Sequence, residues 1–247
     1  MSKPQRITGR IPALECLRGG KRRPRRLFLL GGGKGLDPLH AAARAASIPV
    51  EECDRRRLDQ LAGGDMHQGV VLEAEPLPVL TVEDWLATQT DPDTIVVVLD
   101  GIVDPHNFGA IVRSAVAFGA TGIVFAQDRS APISPASVKS AAGTMEHADL
   151  ICAPNLVRAL QKLKEADFWV AGLDLEGAEP LWGAKLGGRI ALVIGSEGKG
   201  MRRLVREHCD FLIQIPTPGP IGVLNASASA AVALAECVRQ RQGKNTD

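Results

Sequence analysis

The run Ile95-Val-Val-Val-Leu99 constrains this chain more than any other stretch. Five branched apolar residues without alternation predict a strand covered on both faces, the habit of parallel sheets flanked by helices. The chain beyond residue 99 keeps that habit. A helix is expected over Phe108–Phe118, with Gly119 at a C-terminal cap position. Strand Gly122–Ala126, helix Pro135–Ala142, strand Leu150–Cys152, helix Leu156–Ala166 and strand Phe168–Gly172 come next. Strand Ile190–Ile194, helix Met201–His208, strand Phe211–Ile215 and helix Ala226–Arg239 complete the series. Strand and helix in alternation predict an α/β domain built on a parallel sheet with helices on both faces.

The earlier residues read as a smaller α/β unit. Leu27–Leu30 is expected as a strand, Asp37–Ser47 as an Ala-rich helix and Val50–Glu52 as a second strand. A helix near Arg55–Leu61 and a strand entered from His67 to Glu73 come after them, and Pro76-Leu-Pro78 closes the unit. The domain reading is therefore residues 1–76, a linker over 77–93 with a short helix near Val82–Ala87, and a second domain over 94–247.

Charge divides the same way. Residues 1–76 hold 14 Lys/Arg against 9 Asp/Glu, a net +5; the remainder holds 15 against 19, a net −4. Arg18, Lys21, Arg22, Arg23, Arg25 and Arg26 crowd six cations into nine residues. They form either a phosphate-neutralising patch on a nucleic-acid-binding unit or a solvated loop. With no Tyr, six Phe and three Trp, stacking on single-stranded bases is a poor expectation, so phosphate contact and shape would dominate. The five scattered cysteines form no C-x-x-C pair, which argues against a disulfide framework or a zinc site and fits a reducing cytoplasm. The polar start and the absence of any apolar run near 20 residues argue against secretion and a membrane span.

Three loops marked by glycine and asparagine each come after an expected strand of the second domain, the edge at which open parallel sheets bind ligands. They are Asp100–Arg113, Gly195-Ser-Glu-Gly-Lys-Gly200, and Pro216 through Asn225. Singly, each has a plain structural reading. Asn107 would cap a helix starting at Phe108, Asn225 would cap the last helix, and Arg113 would be a surface charge. The second loop resembles a phosphate cradle but has neither the Walker ending nor dinucleotide-fingerprint spacing. Asp100 with Asp104 lacks the further ligand a metal would need, and His106 has no nucleophile motif beside it.

Together the loops carry more. Asp100-Gly-Ile-x-Asp-Pro-His-Asn-Phe-Gly-Ala-Ile-x-Arg-Ser114, Leu192-Val-Ile-Gly-Ser-Glu-Gly-Lys-Gly-Met201 and Ile215-Pro216 through Leu224-Asn225-Ala-Ser227 resemble the three motifs of the SpoU/TrmH family of RNA ribose 2′-O-methyltransferases, in order and spacing. Ile7–Leu17 and His67-Gln-Gly-Val70 are similar to the small RNA-binding domain that precedes the catalytic one in many members. The arrangement most resembles the subgroup that methylates a guanosine ribose in large-subunit ribosomal RNA.

The resemblance implies a catalytic domain with a C-terminal trefoil knot, where connection rules alone would give an unknotted sheet. It also implies a homodimer, RNA as partner, S-adenosylmethionine as cofactor and no metal. Backbone groups of Gly195, Ile215 and Leu224 would face the cofactor, with Gly198 and Gly200 allowing close approach. Arg113 would be central to transfer, with Asn107, Glu197 and Asn225 around it. An arginine with a pKa above about 12 is a poor base, so Arg113 is expected to hold a phosphate or stabilise charge on the attacking 2′-oxygen. Glu197 would orient Arg113 or the substrate, and Asn225 would brace the knot loop. Arg22, Arg23, Arg25 and Arg26 are the expected RNA contacts. One departure stands out: the third motif usually reads Ser-Leu-Asn, and here it is Val223-Leu224-Asn225 after Gly222. Valine offers no hydrogen bond. A weak or inactive RNA-binding relative, and a methyltransferase for tRNA or for antibiotic resistance, therefore stay open beside the ribosomal reading.

Overall fold

The computed structural model describes residues 4–128, 133–177, 179–219 and 222–243. They form two compact units, one running to Pro78 and taking in Ala141–His147, the other holding Val79–Ser140 and the chain from Ala148 onward.

In the first unit the sheet order is β1-β4-β2-β3, from β1 (Gln5–Thr8), β2 (Pro24–Leu30), β3 (Val50–Cys53) and β4 (Val70–Ala74). β4 runs antiparallel to β1 and β2, and β2 runs parallel to β3. Period-two alternation sorts the strand residues between two covers. Leu27 and Leu29 pack with α1 (Arg10–Leu17) and α2 (Asp37–Ala45), whereas Phe28 and Val71 pack with Leu58, Leu61 and Ala62 of α3 (Arg55–Ala62). β1 and α1 were not expected. The helix α2 stops at Ala45 because Ser47 turns left-handed at φ 55°.

The second unit is an eight-stranded sheet in the order β10-β12-β9-β11-β6-β7-β8-β5. The strands are β5 (Val79–Leu80), β6 (Ile95–Asp100), β7 (Gly122–Ala126), β8 (Asp149–Ala153), β9 (Trp169–Leu173), β10 (Glu179–Pro180), β11 (Ile190–Gly195) and β12 (Phe211–Gln214). All pairings are parallel, as the apolar run predicts. Every residue of β6 is buried. Val96 and Val98 join one core with residues of α4 (Val82–Leu86), α7 (Leu156–Glu165) and α8 (Arg203–Glu207). α5 (Pro105–Ala117) packs against α6 (Pro135–Ser140) and α9 (Ala226–Gly243).

Two expectations change. Residues 77–93 are not a bare linker: β5 is the edge strand beside β8, and Trp85 of α4 is fully buried. Trp85 fits because Gly122 carries no side chain; a Cβ there would sit 2.8 Å from its ring. The first long helix also starts earlier than Phe108. Asp104 Oδ1 accepts the His106 N–H at 3.0 Å, and Pro105 occupies the first helical position, where no N–H is needed.

Candidate active site

The sheet places two of the three loops side by side. β6 and β11 are neighbours in register, with Gly195 opposite Asp100, yet the chain leaves β6 toward β7 on the other side. That is a topological switch point, where a crevice opens beyond the strands' carboxyl ends.

Hydrogen bonds then join all three loops. Asn107 Nδ2 donates to Glu197 Oε1 at 3.0 Å, and the same oxygen accepts the Ala226 N–H at 3.3 Å. Asn107 is thus an interior residue of α5 that reaches across to the second loop, not a helix cap. Asn225 does cap: its Oδ1 accepts the Ala228 N–H at 2.8 Å at the head of α9. The third loop is braced internally by Thr217 Oγ1, which donates to the Gly222 carbonyl at 2.7 Å. Residues 220 and 221 of that loop lie outside the described residues.

The second and third loops line a cleft of about 830 Å³, within the range of small-molecule sites. Gly195, Glu197, Gly198, Gly200, Ile215, Leu224 and Asn225 are on its wall, so the expected cofactor residues come together there. A Cβ on Gly195 would lie 2.4 Å from the Gly200 carbonyl carbon and the Met201 nitrogen. Two backbone segments therefore touch at Gly195, and only glycine permits it. Gly198 and Gly200 hold φ of 78° and 63° with nothing near a would-be Cβ, so the chain there puts no side chain between its backbone and a ligand. A wall of apolar side chains and glycines without side chains fits a nucleoside-bearing cofactor. Asp174, Glu176 and Arg206 add a charged patch to that wall, with Arg206 Nε 2.8 Å from Asp174 Oδ2.

Of the two expected roles for Glu197, orienting Arg113 or the substrate, the first has no contact behind it. Arg113 is exposed on α5, and among the described residues it makes no hydrogen bond or ion pair, so Glu197 does not orient it within this chain. Asp100, weighed as a metal ligand on sequence grounds, gives both oxygens to Arg202. Sequence reasoning passed over Arg202, Arg206 and Thr217. The one available signal was a carboxylate ending a wholly apolar strand, since a buried charge needs a partner.

The family model of the SpoU rRNA methylase family matches residues 94–235. The chain belongs to that family. A second model, described as RNA 2′-O ribose methyltransferase substrate binding, matches residues 6–80. The 23S rRNA (guanosine-2′-O-)-methyltransferase RlmB of Pseudomonas putida is 40% identical over 250 residues, 99% of this chain and all of that one. Its Escherichia coli K12 counterpart is 39% identical over 220 residues, 87% of this chain and 90% of that one. Among solved structures, the SpoU methyltransferase AviRb of Streptomyces viridochromogenes in complex with AdoMet superposes with a TM-score of 0.80 at 24% identity. That likeness, over 97% of this chain and 91% of the other, is one of fold.

In the first unit the basic cluster is largely spent on internal pairs. Arg22 is the clear correction. Its side chain is 1% exposed, with Nε 2.8 Å from Glu146 Oε1 and Nη1 3.1 Å from Gln5 Oε1, so it cannot present a charge to RNA. Arg25 pairs with Glu75 at 3.1 Å and Arg26 with Glu51 at 3.3 Å, both partly exposed. Arg23 is exposed and, among the described residues, has no charged partner. Burial pushes the Glu146 carboxyl up, with the Arg22 guanidinium pulling against it.

Proposed function

We propose that this chain transfers the methyl group of S-adenosylmethionine to the 2′-oxygen of a guanosine ribose in 23S ribosomal RNA, at the cleft lined by Glu197 and Ala226, with Asn107 bonded to Glu197. The observation that carries this reading is the joining of all three motif loops through one carboxylate oxygen beside the cleft. The substrate is drawn from full-length relatives whose names state it. S-adenosylmethionine, when bound, supplies a methyl group already activated on a sulfonium.

The chain's own task is then to hold, orient and shed a proton. Backbone groups at Gly195, Ile215 and Leu224 would hold the cofactor, with Gly200 on the same wall and no side chain in the way. Glu197 fixes the first and third loops relative to each other, and Asn107 Nδ2 keeps Glu197 in place. Arg113, unengaged within the chain, is free to grip an RNA phosphate or offset negative charge growing on the 2′-oxygen. Arg23 and the exposed parts of Arg25 and Arg26 would add phosphate contacts, without Arg22.

Three further features belong to this reading. The C-terminal part is a trefoil knot, a reading supported by close backbone packing there: a Cβ on Gly177 would lie 2.5 Å from the Ile213 carbonyl carbon. The working form is a homodimer, supported by exposed Leu175 and Val223 on the cleft wall, apolar surface that a second copy would cover. A ribosomal RNA substrate places the reaction in the cytoplasm.

The test is Arg113→Ala. Methyl transfer to ribosomal RNA should be lost while affinity for S-adenosylhomocysteine stays within about twofold. Turnover that survives within a few-fold removes Arg113 from the mechanism. Mapping 2′-O-methylation in ribosomal and transfer RNA from cells with and without the gene tests the substrate. The second reading, a weak or inactive RNA binder, is favoured by Val223 alone, and no transfer from the wild-type protein would establish it.

A further inference from the structure

We infer that Asp100 and Arg202 form a positioning lock that holds the second loop in its cofactor-binding shape, an inference that rests on the proposed cofactor site. Asp100 is the last residue of β6, and its side chain is 0% exposed. A carboxylate is kept in such a place only when its charge and both oxygens are answered. Arg202, 102 residues away, answers both: its backbone N–H donates to Oδ2 at 2.7 Å and its Nε to Oδ1 at 2.6 Å. One carboxylate thereby fixes the main chain and the side chain of the same residue. A pair formed for charge alone would not need the main-chain bond.

What it fixes is the far end of the loop. Arg202 directly succeeds Met201, whose nitrogen presses on Gly195 from one side of the turn. Within the turn, Ser196 N–H donates to the Gly200 carbonyl at 3.0 Å and Gly200 N–H to the Ser196 carbonyl at 2.9 Å. The near end is held by β11, where Gly195 stands in register with Asp100 itself. Asp100 thus lies beside the loop's start and grips its finish. Gly101 lies beside the loop's start in a left-handed conformation at φ 75°, where a Cβ would be 3.4 Å from the Ser196 Cβ. The loop so closed carries Glu197, Gly198 and Gly200 into the cleft. Arg202 touches no reacting atom; it acts through the loop. Its side chain is 49% exposed, so removing the guanidinium opens the lock without emptying a core.

The test compares Arg202→Ala, Arg202→Lys and wild type by three readouts: calorimetric affinity for S-adenosylhomocysteine, steady-state methyl transfer, and the melting temperature without cofactor. Arg202→Ala should weaken S-adenosylhomocysteine at least about tenfold and raise the cofactor KM similarly, with kcat at saturation within about threefold. Arg202→Lys, which keeps a cation beside Asp100, should recover most of the affinity. A merely structural pair would lower the melting temperature and leave affinity and KM unchanged; that result overturns the lock. Affinity lost equally in Arg202→Ala and Arg202→Lys with normal melting also overturns it, because the cation would then not be acting through Asp100. Wild-type protein that binds no S-adenosylhomocysteine overturns the cofactor reading itself, an outcome distinct from either. Asp100→Asn is a supplementary variant; should it fail to fold, the Arg202 pair decides the matter.

Discussion

Glu197 Oε1 takes one hydrogen bond from a residue 90 positions earlier and another from a residue 29 positions later. The family resemblance named Asn107, Glu197 and Asn225 as a set, but not which hydrogen bonds each makes. A short polar residue near a helix start looks alike whether it caps its own helix or reaches another loop. The structure separates the two: Asn225 caps and Asn107 bridges. Arg113 stands out by residue type and stays without an intramolecular partner among the described residues, which suits the RNA-facing role proposed for it. Val223 is the position where residue chemistry bears most directly on rate. It lies on the cleft wall, 56% exposed, one residue past a glycine carbonyl already satisfied by Thr217. Val223→Ser should therefore fit without strain and restore a hydroxyl to the wall. We expect methyl transfer to rise by about threefold to tenfold with S-adenosylhomocysteine affinity within about twofold, read in single-turnover assays. A fall in rate would mean that this cleft is built around the valine.

At the scale of elements, the periodic stretches were legible and the others were not. The strands β6, β7 and β11 carry unbroken apolar runs, which no surface element would tolerate, so their identity came from those runs and their parallel setting from the alternation with helices. Helix α1 hid because its apolar residues scatter around the axis and Pro12 breaks the pattern, although the third helical position accepts proline without losing a bond. The short strands β5 and β10, two residues each, exist only because a neighbouring strand pairs with them. Helix α9 offers two tests. Its head depends on Asn225, so Asn225→Ala should cost about 1 kcal/mol in urea unfolding and Asn225→Ser much less. Its body buries Cys237, whose thiol burial pushes up to about 11, as burial pushes Cys16 and Cys209 up to about 12. Below the ordinary thiol value of 9.0 both folded and unfolded chains keep these protons, and this contribution is fully present. Between pH 9 and the raised values only the unfolded chain sheds them, so stability falls as pH rises, by up to about 1.4 kcal/mol per pH unit for each thiol. Cys237→Ala should flatten that slope between pH 9 and 11, measured as the change in urea midpoint against wild type.

On the scale of the whole molecule, the first unit is not a single run of sequence. Residues 141–147 lie inside the sequence of the second unit and yet fold with the first. No local pattern could say so, because the bond that declares it spans 124 residues. That bond, Arg22 to Glu146, also reverses the meaning of a residue chosen for its positive charge. A phosphate contact and a buried ion pair make opposite predictions for Arg22→Ala. Were Arg22 an RNA contact, its loss would weaken RNA binding, reduce the salt slope by about one and leave melting unchanged. As a buried pair, its loss strands Glu146, whose side chain is 2% exposed, without its cation. The expected cost is about 3–5 kcal/mol, seen as a lower melting temperature, with the salt slope of RNA binding preserved at temperatures where the protein stays folded. The double variant Arg22→Met with Glu146→Leu removes both charges from the same space and should regain most of the loss, since an apolar pair carries no desolvation penalty. A double variant no more stable than Arg22→Ala would show that the cost comes from lost packing around Gln5 and Gly20 rather than from an uncompensated carboxylate.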